Sequence, residues 1–201
     1  MNEPKRCSWP GDDPLYCRYH DDEWGRPLGD DQRLFEKICL EGFQAGLSWI
    51  TILRKRENFR RAFHAFDPHA VAQMTNSDVE RLLDDASIVR HRKKIESAIQ
   101  NAGRCLELQE EHGSLASFVW SFEPEPSERP QVVDAQAVRR LTESDASRAL
   151  SRALKKRGWS FVGPTTMYAF LQSSGVVNDH VETCAWRQVV EAERARFTRP
   201  R

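Results

Sequence analysis

Apolar residues recur at helical spacing along most of this chain, and no stretch alternates apolar and polar residues as a half-buried strand would. The pattern is clear after Asp30-Asp31, a good helix cap, where Leu34, Phe35 and Ile38 fall on one helical face. We therefore expect an all-α fold in which a first helix runs from about Asp30 to Gly42. Further helices are predicted at residues 44–58, at a short segment opened by Asp67-Pro68, and at 76–84, 86–110, 114–122, 146–157, 165–173 and 176–195.

Length and charge restrict the class of protein. With 201 residues, 39% of them hydrophobic, the chain can bury one good core, so we expect a single unit over residues 1–201. No run approaches the roughly 18 uncharged apolar residues of a membrane helix, and residues 1–13 are polar, so we expect a soluble, cytoplasmic protein without a membrane partner. Thirty basic and 30 acidic residues argue against a generic polyanion binder, yet a basic face balanced by an acidic one remains possible. We expect a monomer.

The first 30 residues combine Gly and Pro punctuation with many aromatic side chains. A floppy tail would not normally contain so many aromatic rings, so we expect this segment to pack against the body or to line a pocket. A second punctuated stretch, the proline-rich residues 123–130, is predicted to be an exposed loop and not a domain linker.

Glu41 lies between an apolar run, residues 38–40, and a glycine-bounded turn that leads to Trp49. A carboxylate in that setting is poorly solvated, and next to aromatic rings it suits a cationic or proton-rich heterocyclic ligand. Five aromatic residues could stack on a base flipped out of a duplex while Glu41 accepts hydrogen bonds from its edge. They are Trp9, Tyr16, Tyr19, Trp24 and Trp49. The alternatives are that Glu41 caps a helix beginning at Ala45 and that the rings form a simple core.

Four residues near the two ends of the chain suit a metal ion. Cys7 and His20 are 13 apart, and His180 and Cys184 are at i and i+4, a spacing that would place both on one face of a helix. Two thiolates and two imidazoles make a closed tetrahedral zinc site, whose role would be to staple the N-terminal segment to the C-terminal helix. The alternative is that these are ordinary buried Cys and His residues. Spacing alone cannot choose the ligands, because three other cysteines, Cys17, Cys39 and Cys105, are available.

A helix pair is predicted around the turn from Gly158 to Gly163. A glycine-bounded turn followed by a helix N-terminus exposes backbone N–H groups that bind phosphate, and residues 155–157 (Lys-Lys-Arg) could reinforce it. The alternative is an ordinary antiparallel pair with a solvated basic end. Two other basic runs, residues 54–61 and 90–94, are more typical of solvated helix faces.

Taken together, these residues resemble the DNA-3-methyladenine glycosylase I family of the helix-hairpin-helix superfamily, and the match covers nearly the whole chain. The matching motifs are Asp13-Pro14-Leu15-Tyr16, Tyr19-His20-Asp21, Glu23-Trp24-Gly25, Leu40-Glu41-Gly42, Gln44-Ala45-Gly46-Leu47-Ser48-Trp49, Lys55-Arg56-Glu57, Arg90-His91-Arg92, Leu154-Lys155-Lys156-Arg157-Gly158, Phe161-Val162-Gly163 and Asn178-Asp179-His180. The resemblance implies an enzyme that excises N3-methyladenine from alkylated duplex DNA and releases free 3-methyladenine, the first step of base excision repair. It also implies a helix-hairpin-helix at about residues 146–173 and one structural zinc.

The resemblance assigns roles to particular residues. Glu41 and Tyr19 would be the catalytic pair, Glu41 accepting hydrogen bonds from the adenine edge and Tyr19 orienting the ring. The residues that would stack on the base are Tyr16, Trp49, Trp9 and Trp24. Those that would contact the DNA backbone are Gly158, Gly163 and Lys156. The zinc ligands would be Cys7, His20, His180 and Cys184.

Two positions depart from the family pattern. Phe43-Gln44 stands where some relatives carry a polar pair, and Ala185-Trp186 follows Cys184 where some have further cysteines. The first departure keeps open a glycosylase for another lesion, whereas the second leaves the zinc set intact. Many superfamily relatives use a catalytic Asp after the hairpin, but this family does without it, so Asp179 is not expected to be catalytic. From a different class, the alternative function is a zinc-stapled module that binds damaged DNA without cutting the bond.

Overall fold

The computed structural model describes residues 4–201, apart from the side chain of Arg139, so residues 1–3 of the predicted unit lie outside it. Over that range the backbone forms α-helices and two short 3-10 turns, and no β-strand, which confirms the all-α prediction. None of these helices combines the length and apolar composition needed to cross a membrane. The helices are α1 (Pro14–Asp22), α2 (Asp31–Gln44), α3 (Trp49–Ala62), α4 (Pro68–Ala72), α5 (Asn76–Asp84), α6 (Arg92–His112), α7 (Leu115–Trp120), α8 (Ala135–Arg140), α9 (Asp145–Lys156), α10 (Pro164–Ser173) and α11 (Trp186–Arg196).

Helix α2 lies at the centre of the molecule and contacts α3, α6, α7 and α10. Asp30 starts it, because its side chain accepts the Arg33 backbone N–H at 2.9 Å. Its apolar residues are buried almost completely, including Phe35, Leu40 and Phe43. Contact with four other helices fixes the buried side chains of α2, and Glu41 is one of them.

The aromatic N-terminal segment packs against the body, as predicted, but it also contains a helix that the sequence pattern did not indicate. The carboxylate of Asp13 accepts the N–H groups of Leu15 and Tyr16, each at 3.0 Å, and so starts α1. Pro14 is tolerated there because the first helical residue needs no N–H partner. The glycines and prolines of this segment therefore mark the ends of a short helix.

Helix α3 begins at Trp49, so the predicted start at residue 44 is wrong. Gln44 and Leu47 close a turn, in which the Leu47 N–H donates to the Gln44 carbonyl at 2.7 Å. Gly46 has a φ of +80°, a conformation that residues with a β-carbon rarely adopt. Similarly, α6 begins at Arg92 and not near residue 86, because Asp85 accepts the Ser87 N–H at 2.8 Å and holds a turn.

The predicted helix over residues 176–195 is also wrong in its first half, since α11 begins at Trp186. The Asn178 side chain accepts the His180 N–H at 3.2 Å, and this local bond competes with helix formation. His180 and Cys184 are therefore buried residues of the loop before α11 and do not lie on one helical face.

Candidate active site and metal cluster

A cleft of about 280 Å³ opens at the end of α2, and it contains all six residues that the sequence predicted for a base pocket. Helix α1 contributes Tyr16 and Tyr19, α2 contributes Glu41, and α3 contributes Trp49 at its first residue. Trp9 and Trp24 come from the loops on either side of α1. Three helices and two loops thus converge on one cleft.

The aromatic rings of the cleft contact one another mainly edge to face. The Trp9 ring centroid lies 4.8 Å from that of Tyr16 and 5.2 Å from that of Trp24, and Tyr19 lies 5.4 Å from Trp49. Such edge-to-face contacts fix the rings relative to one another and leave electron-rich faces for a planar ligand. Tyr19 and Trp24 also form a small buried cluster with Leu53, against which Trp9, Tyr16 and Trp49 pack, so the same rings are both an aromatic core and the wall of the cleft.

Glu41 is the acidic group of the cleft, and its side chain is almost completely buried, with 4% of the residue exposed. It lies inside α2, so the interpretation that it caps a following helix is wrong. Its hydrogen-bond partner is Ser173 of α10, whose Oγ donates to Oε1 at 3.3 Å. Burial raises the pKa of Glu41 to about 7, and the positive charge of Lys37 and the Ser173 hydrogen bond oppose that rise.

The two tyrosines of α1 remain neutral hydrogen-bonding groups at physiological pH. Burial, reinforced by the negative charge of Glu41, raises the pKa of Tyr16 and raises that of Tyr19 well above its ordinary value. The cleft therefore offers one acid that can change its ionisation near neutrality beside two phenols that keep their protons.

The sequence did not predict part of the cleft wall. Five further residues line it, namely Gln44, Val138, Leu141, Ala169 and Gln172. Val138 and Leu141 belong to α8 and its C-terminal end, a helix that was not predicted. Asp134 was the available signal, because its side chain accepts the N–H groups of Gln136 and Ala137 at 2.8 and 2.7 Å and so starts α8.

Asp179 lies outside the residues that line the cleft and is fully engaged by three donors. Tyr168 donates to its carboxylate at 2.6 Å and Gln172 at 2.7 Å, and Arg129 forms an ion pair with it. A buried carboxylate with all these partners ties the loop of Arg129 to α10 and has a structural explanation without any catalytic role.

A second constellation brings the two ends of the described chain together. The donor atoms of Cys7, His20 and Cys184 lie within 4.8 Å of one another in the interior. His20 Nδ1 lies 2.7 Å from the carboxylate of Asp21, which makes Nδ1 the donor and leaves Nε2, 3.6 Å from Cys184 Sγ, as the free acceptor. The hydrogen bond between the two thiols lowers the pKa of Cys184 and raises that of Cys7, so the pair favours a single thiolate, on Cys184.

His180 lies beside this group, with its ring centroid 4.9 Å from that of His20. The amide nitrogen of Asn178 donates to the Arg187 carbonyl and to Glu191, so the Asn178 oxygen must accept from His180 Nδ1, at 2.9 Å. The same orientation leaves His180 Nε2 buried and without a hydrogen-bond partner among the described residues. The donor atoms within 4.8 Å of one another are those of Cys7, His20 and Cys184, and His180 brings a second imidazole, also oriented by an oxygen, next to that group.

The other cysteines lie apart from this cluster. Cys39 and Cys105 are part of the main core, and the Cys17 thiol donates to the Gly11 carbonyl at 3.3 Å. Of the five cysteines, Cys7 and Cys184 are therefore the two that lie together beside a histidine.

The predicted DNA-backbone residues lie around the connection between α9 and α10, away from the lining of the cleft. Gly158 has a φ of +83° and ends α9, whereas Gly163 has an ordinary φ of −62° and precedes the first residue of α10. Lys156 is exposed on the last turn of α9. Of the two glycines, the backbone conformation requires only Gly158 to be glycine.

This connection is attached to the helices that hold the cleft. Asn101 of α6 accepts the Ser160 N–H and donates to the Ser160 carbonyl, both at 3.0 Å. Phe161, at a φ of +55°, reaches α2 so closely that a β-carbon on Gly42 would lie 3.3 Å from its own. Since Gly42 follows Glu41, the turn and the cleft are held at a fixed separation.

Comparison with known proteins gives a consistent result. A family model described as methyladenine glycosylase matches residues 9–188. DNA-3-methyladenine glycosylase 1 of Escherichia coli (strain K12) is 54% identical over 181 residues, which are 90% of this chain and 95% of that protein. A DNA-3-methyladenine glycosylase of Haemophilus influenzae is 48% identical over 180 residues, covering 89% and 96%.

Solved structures agree in fold. The crystal structure of a 3-methyladenine DNA glycosylase I superimposes with a TM-score of 0.83 at 52% identity, covering 90% of this chain and 98% of that one. The enzyme of that name from Staphylococcus aureus, solved to establish the structural basis of 3-methyladenine recognition, has a TM-score of 0.84 at 39% identity, covering 90% and 96%. This chain therefore belongs to the methyladenine glycosylase family.

Proposed function

We propose that this protein is a DNA-3-methyladenine glycosylase, which hydrolyses the N-glycosidic bond of N3-methyladenine in alkylated DNA and so begins base excision repair. The observation that carries the proposal is the buried Glu41 carboxylate at the end of α2, facing a cleft of about 280 Å³ walled by five aromatic residues. A lone acid among aromatic rings suits a flat base that is cationic and rich in hydrogen-bond donors.

In this proposal the flipped base enters the cleft and stacks on the rings of Tyr16, Trp49, Trp9 and Trp24. Glu41 accepts hydrogen bonds from the adenine edge, and Tyr19, held beside Trp49, orients the ring. Each aromatic face can favour the cationic base by roughly 0.5 to 2 kcal/mol, so several together discriminate against neutral adenine.

Methylation at N3 has already weakened the bond to be broken. The cationic base departs as neutral 3-methyladenine with the electron pair of the glycosidic bond, and water adds to the sugar carbon and loses a proton. Little further catalytic apparatus is needed, which accords with a cleft that holds one acid and with an Asp179 occupied elsewhere. Selection of the base and admission of water are the main tasks.

We propose that α9 and α10 act as a helix-hairpin-helix on the DNA backbone. The N-terminus of α10, after Gly163, presents backbone N–H groups, and Lys156 adds a positive charge. Flipping a base costs a few kcal/mol, which these phosphate contacts help to offset. A local phosphate site also explains how a chain with a net charge of zero binds a polyanion.

We further propose one structural zinc ion, held by Cys7, His20, His180 and Cys184. The support is the buried, unpartnered Nε2 of His180 beside the group of Cys7, His20 and Cys184. When bound, the ion would supply four bonds between the chain's N- and C-terminal segments and no open position for water.

The function is tested by incubating the protein with methylated duplex DNA and identifying the released bases by chromatography. We expect release of 3-methyladenine with little 7-methylguanine, and a strong loss of release in Glu41→Gln. Binding to the same DNA with no released base would favour the damage-binding module instead. A different released base would identify a glycosylase for another lesion.

A further inference from the structure

A layer of charged side chains lies directly behind the base cleft. Tyr19 and Trp49 line the cleft and also line a second, much smaller cavity of about 10 Å³. The other residues around this small cavity are mostly charged and come from α2, α3 and the end of α1. They are Glu23, Arg33, Glu36, Lys37, Leu40, Arg56 and Arg60.

Two of the carboxylates in this layer already have arginine partners. Glu23 forms a two-point ion pair with Arg56, at 2.6 and 2.8 Å. Glu36 forms another with Arg60, at 2.8 and 2.9 Å. Each of these acids has its own arginine, whereas Glu41, on the other side of Tyr19, has none among the described residues.

Lys37 is 9% exposed, so most of its side chain lies inside the protein. Its nearest characterised contact is the ring of Tyr19, whose centroid lies 5.5 Å from Nζ. Lys37 and Glu41 are four residues apart on α2, which places both on one face of the helix. Withdrawing a charged side chain from water is costly, so the position of Lys37 on the same helical face as Glu41 calls for an explanation.

We propose that Lys37 is a positioning residue for the glycosylase reaction. Its positive charge, on the other side of the cleft wall, is the counter-charge for the buried Glu41 carboxylate. The inference deepens the proposed function and rests on it. Lys37 touches no bound base, because it lies behind Tyr19 and does not line the cleft. It acts by keeping Glu41 in the anionic form that accepts hydrogen bonds from the base.

The electrostatics of the surrounding groups agree with this role. Lys37 is the charged group that most opposes the burial-driven rise in the Glu41 pKa. Burial lowers the pKa of Lys37 itself to about 8, and the negative charges of Glu23 and Glu41 oppose that fall, so the ammonium is charged at neutral pH.

The other groups that face these two residues do not replace Lys37. Arg33 and Arg56 face the Lys37 side, where Arg56 is held by Glu23. Facing Glu41 are the Tyr16 and Tyr19 phenols of α1, which stay protonated. On α10, Ser173 contacts Glu41 and is uncharged.

The test compares wild type with Lys37→Met, which keeps the length of the side chain and removes its charge. Two quantities are measured from pH 5 to 9. The first is the side-chain carboxyl carbon signal of Glu41 in protein labelled with ¹³C-glutamate, which is assigned by its absence in Glu41→Gln. The second is the single-turnover rate of 3-methyladenine release. We expect the Glu41 titration midpoint and the acid limb of the rate to rise together by about one pH unit, so that release at pH 6 falls by about tenfold. Above pH 8 the two proteins should converge, because Lys37 itself loses its proton there.

Two matched variants separate charge from packing. Lys37→Arg restores the charge and is expected to return the midpoint toward wild type. Lys55→Met instead removes a lysine of α3, which donates to the carbonyls of Ala86 and Ser87 at 3.0 Å, and is expected to leave the Glu41 midpoint unchanged.

An unchanged Glu41 midpoint in Lys37→Met would overturn the proposal, and so would an equal shift in Lys55→Met. Should Lys37→Met fail to fold, Lys37→Gln provides the same comparison. The NMR titration needs no substrate, so a protein that shifts as expected but releases no base would refute the proposed function and leave the charge pairing standing.

Discussion

At the scale of single residues, burial of the Glu41 carboxylate lowers the stability of the fold, and its neighbours offset only part of that loss. Burial removes the carboxylate from water, and a single weak hydrogen bond from Ser173, at 3.3 Å, replaces the lost hydration. Glu36, on the same helix, is also buried but has the guanidinium of Arg60 as a partner. The two glutamates therefore allow a direct comparison of a binding group with a structural one.

We expect Glu41→Gln to stabilise the protein at high pH while it abolishes base release. The folded-state pKa of about 7 exceeds the ordinary value of 4.5, so the folded protein holds the proton more tightly and the free energy of unfolding falls as pH rises between these values. A neutral glutamine removes this penalty, with an expected gain of about 1–3 kcal/mol at pH 8 and little change near pH 4. Urea unfolding at the two pH values measures the difference.

The control for that comparison is Glu36→Gln, which breaks the ion pair with Arg60 and is expected to lower stability at pH 8. A loss of stability at pH 8 in Glu41→Gln would show that the carboxylate is well accommodated and would contradict the assignment of a strained, desolvated acid.

A second prediction at this scale concerns Asp179. Asp179→Ala leaves the partly buried Arg129 without its counter-ion and removes the acceptor of Tyr168 and Gln172, so we expect a loss of about 3 kcal/mol of stability. Base release, measured below the unfolding temperature, is expected to fall by less than about tenfold, whereas loss of an acid–base catalyst typically costs about 10²–10⁴-fold. A drop in that larger range without loss of stability would make Asp179 catalytic after all.

At the scale of elements, the connection between α9 and α10 gains its rigidity from outside the helix pair. Asn101 of α6 holds both backbone groups of Ser160, and Ser151 of α9 donates to the Val162 carbonyl at 2.6 Å. Trp159 and Val162 are buried beneath the turn. The exposed residues of the turn are therefore presented in one arrangement without being part of the core.

We expect Lys156→Ala to weaken binding to all duplex DNA about equally and to lower the salt dependence of binding by about one counter-ion. Lys156 is exposed, so stability should not change. Lys93→Ala provides the control, because Lys93 is also exposed but lies on α6, outside the α9–α10 helix pair. The two variants are compared by fluorescence anisotropy over a salt series. Equal slopes for Lys156→Ala and wild type would exclude the hairpin contact.

At the scale of the whole molecule, residues far apart in sequence hold the N-terminal segment in place. Cys7 and His20 meet Cys184 in the interior, and Arg6 pairs with Asp21 at 2.8 Å. The same segment carries Trp9, Tyr16 and Tyr19 of the cleft wall. Anything that loosens the ends of the chain therefore also loosens the base pocket.

Zinc removal is expected to lower the melting temperature and to expose the segment around residues 4–12 to protease before it changes the chemical step. The physical reason is that the proposed ion joins four residues from both ends of the chain. The measurements are metal content, thermal unfolding and limited proteolysis before and after chelation. Cys184→Ser should behave like the chelated protein, and Cys17→Ser, outside the cluster, like wild type. An unchanged melting temperature after verified metal removal would contradict the zinc staple.

The sequence by itself determined the helical fold class and most of the helices, because apolar residues at a spacing of three to four can bury one face only as helices. It located Glu41 and the aromatic residues, since an acid beside apolar residues and rings in a polar segment are locally visible anomalies. It also indicated where the helix pair turns, because Gly158 has the left-handed conformation that glycine adopts freely.

Tertiary structure decided the rest. Three predictions were wrong: a helix starting at residue 44, a helix over residues 176–185, and no helix at α8. In each place hydrogen bonds from side chains to the backbone outweigh the local spacing of apolar residues. Spacing could not choose among five cysteines, whereas packing placed Cys7 beside Cys184. Above all, the relation between Lys37 and Glu41 depends on which neighbouring acids already have an arginine partner, and only the packing of α1, α2 and α3 fixes those pairs.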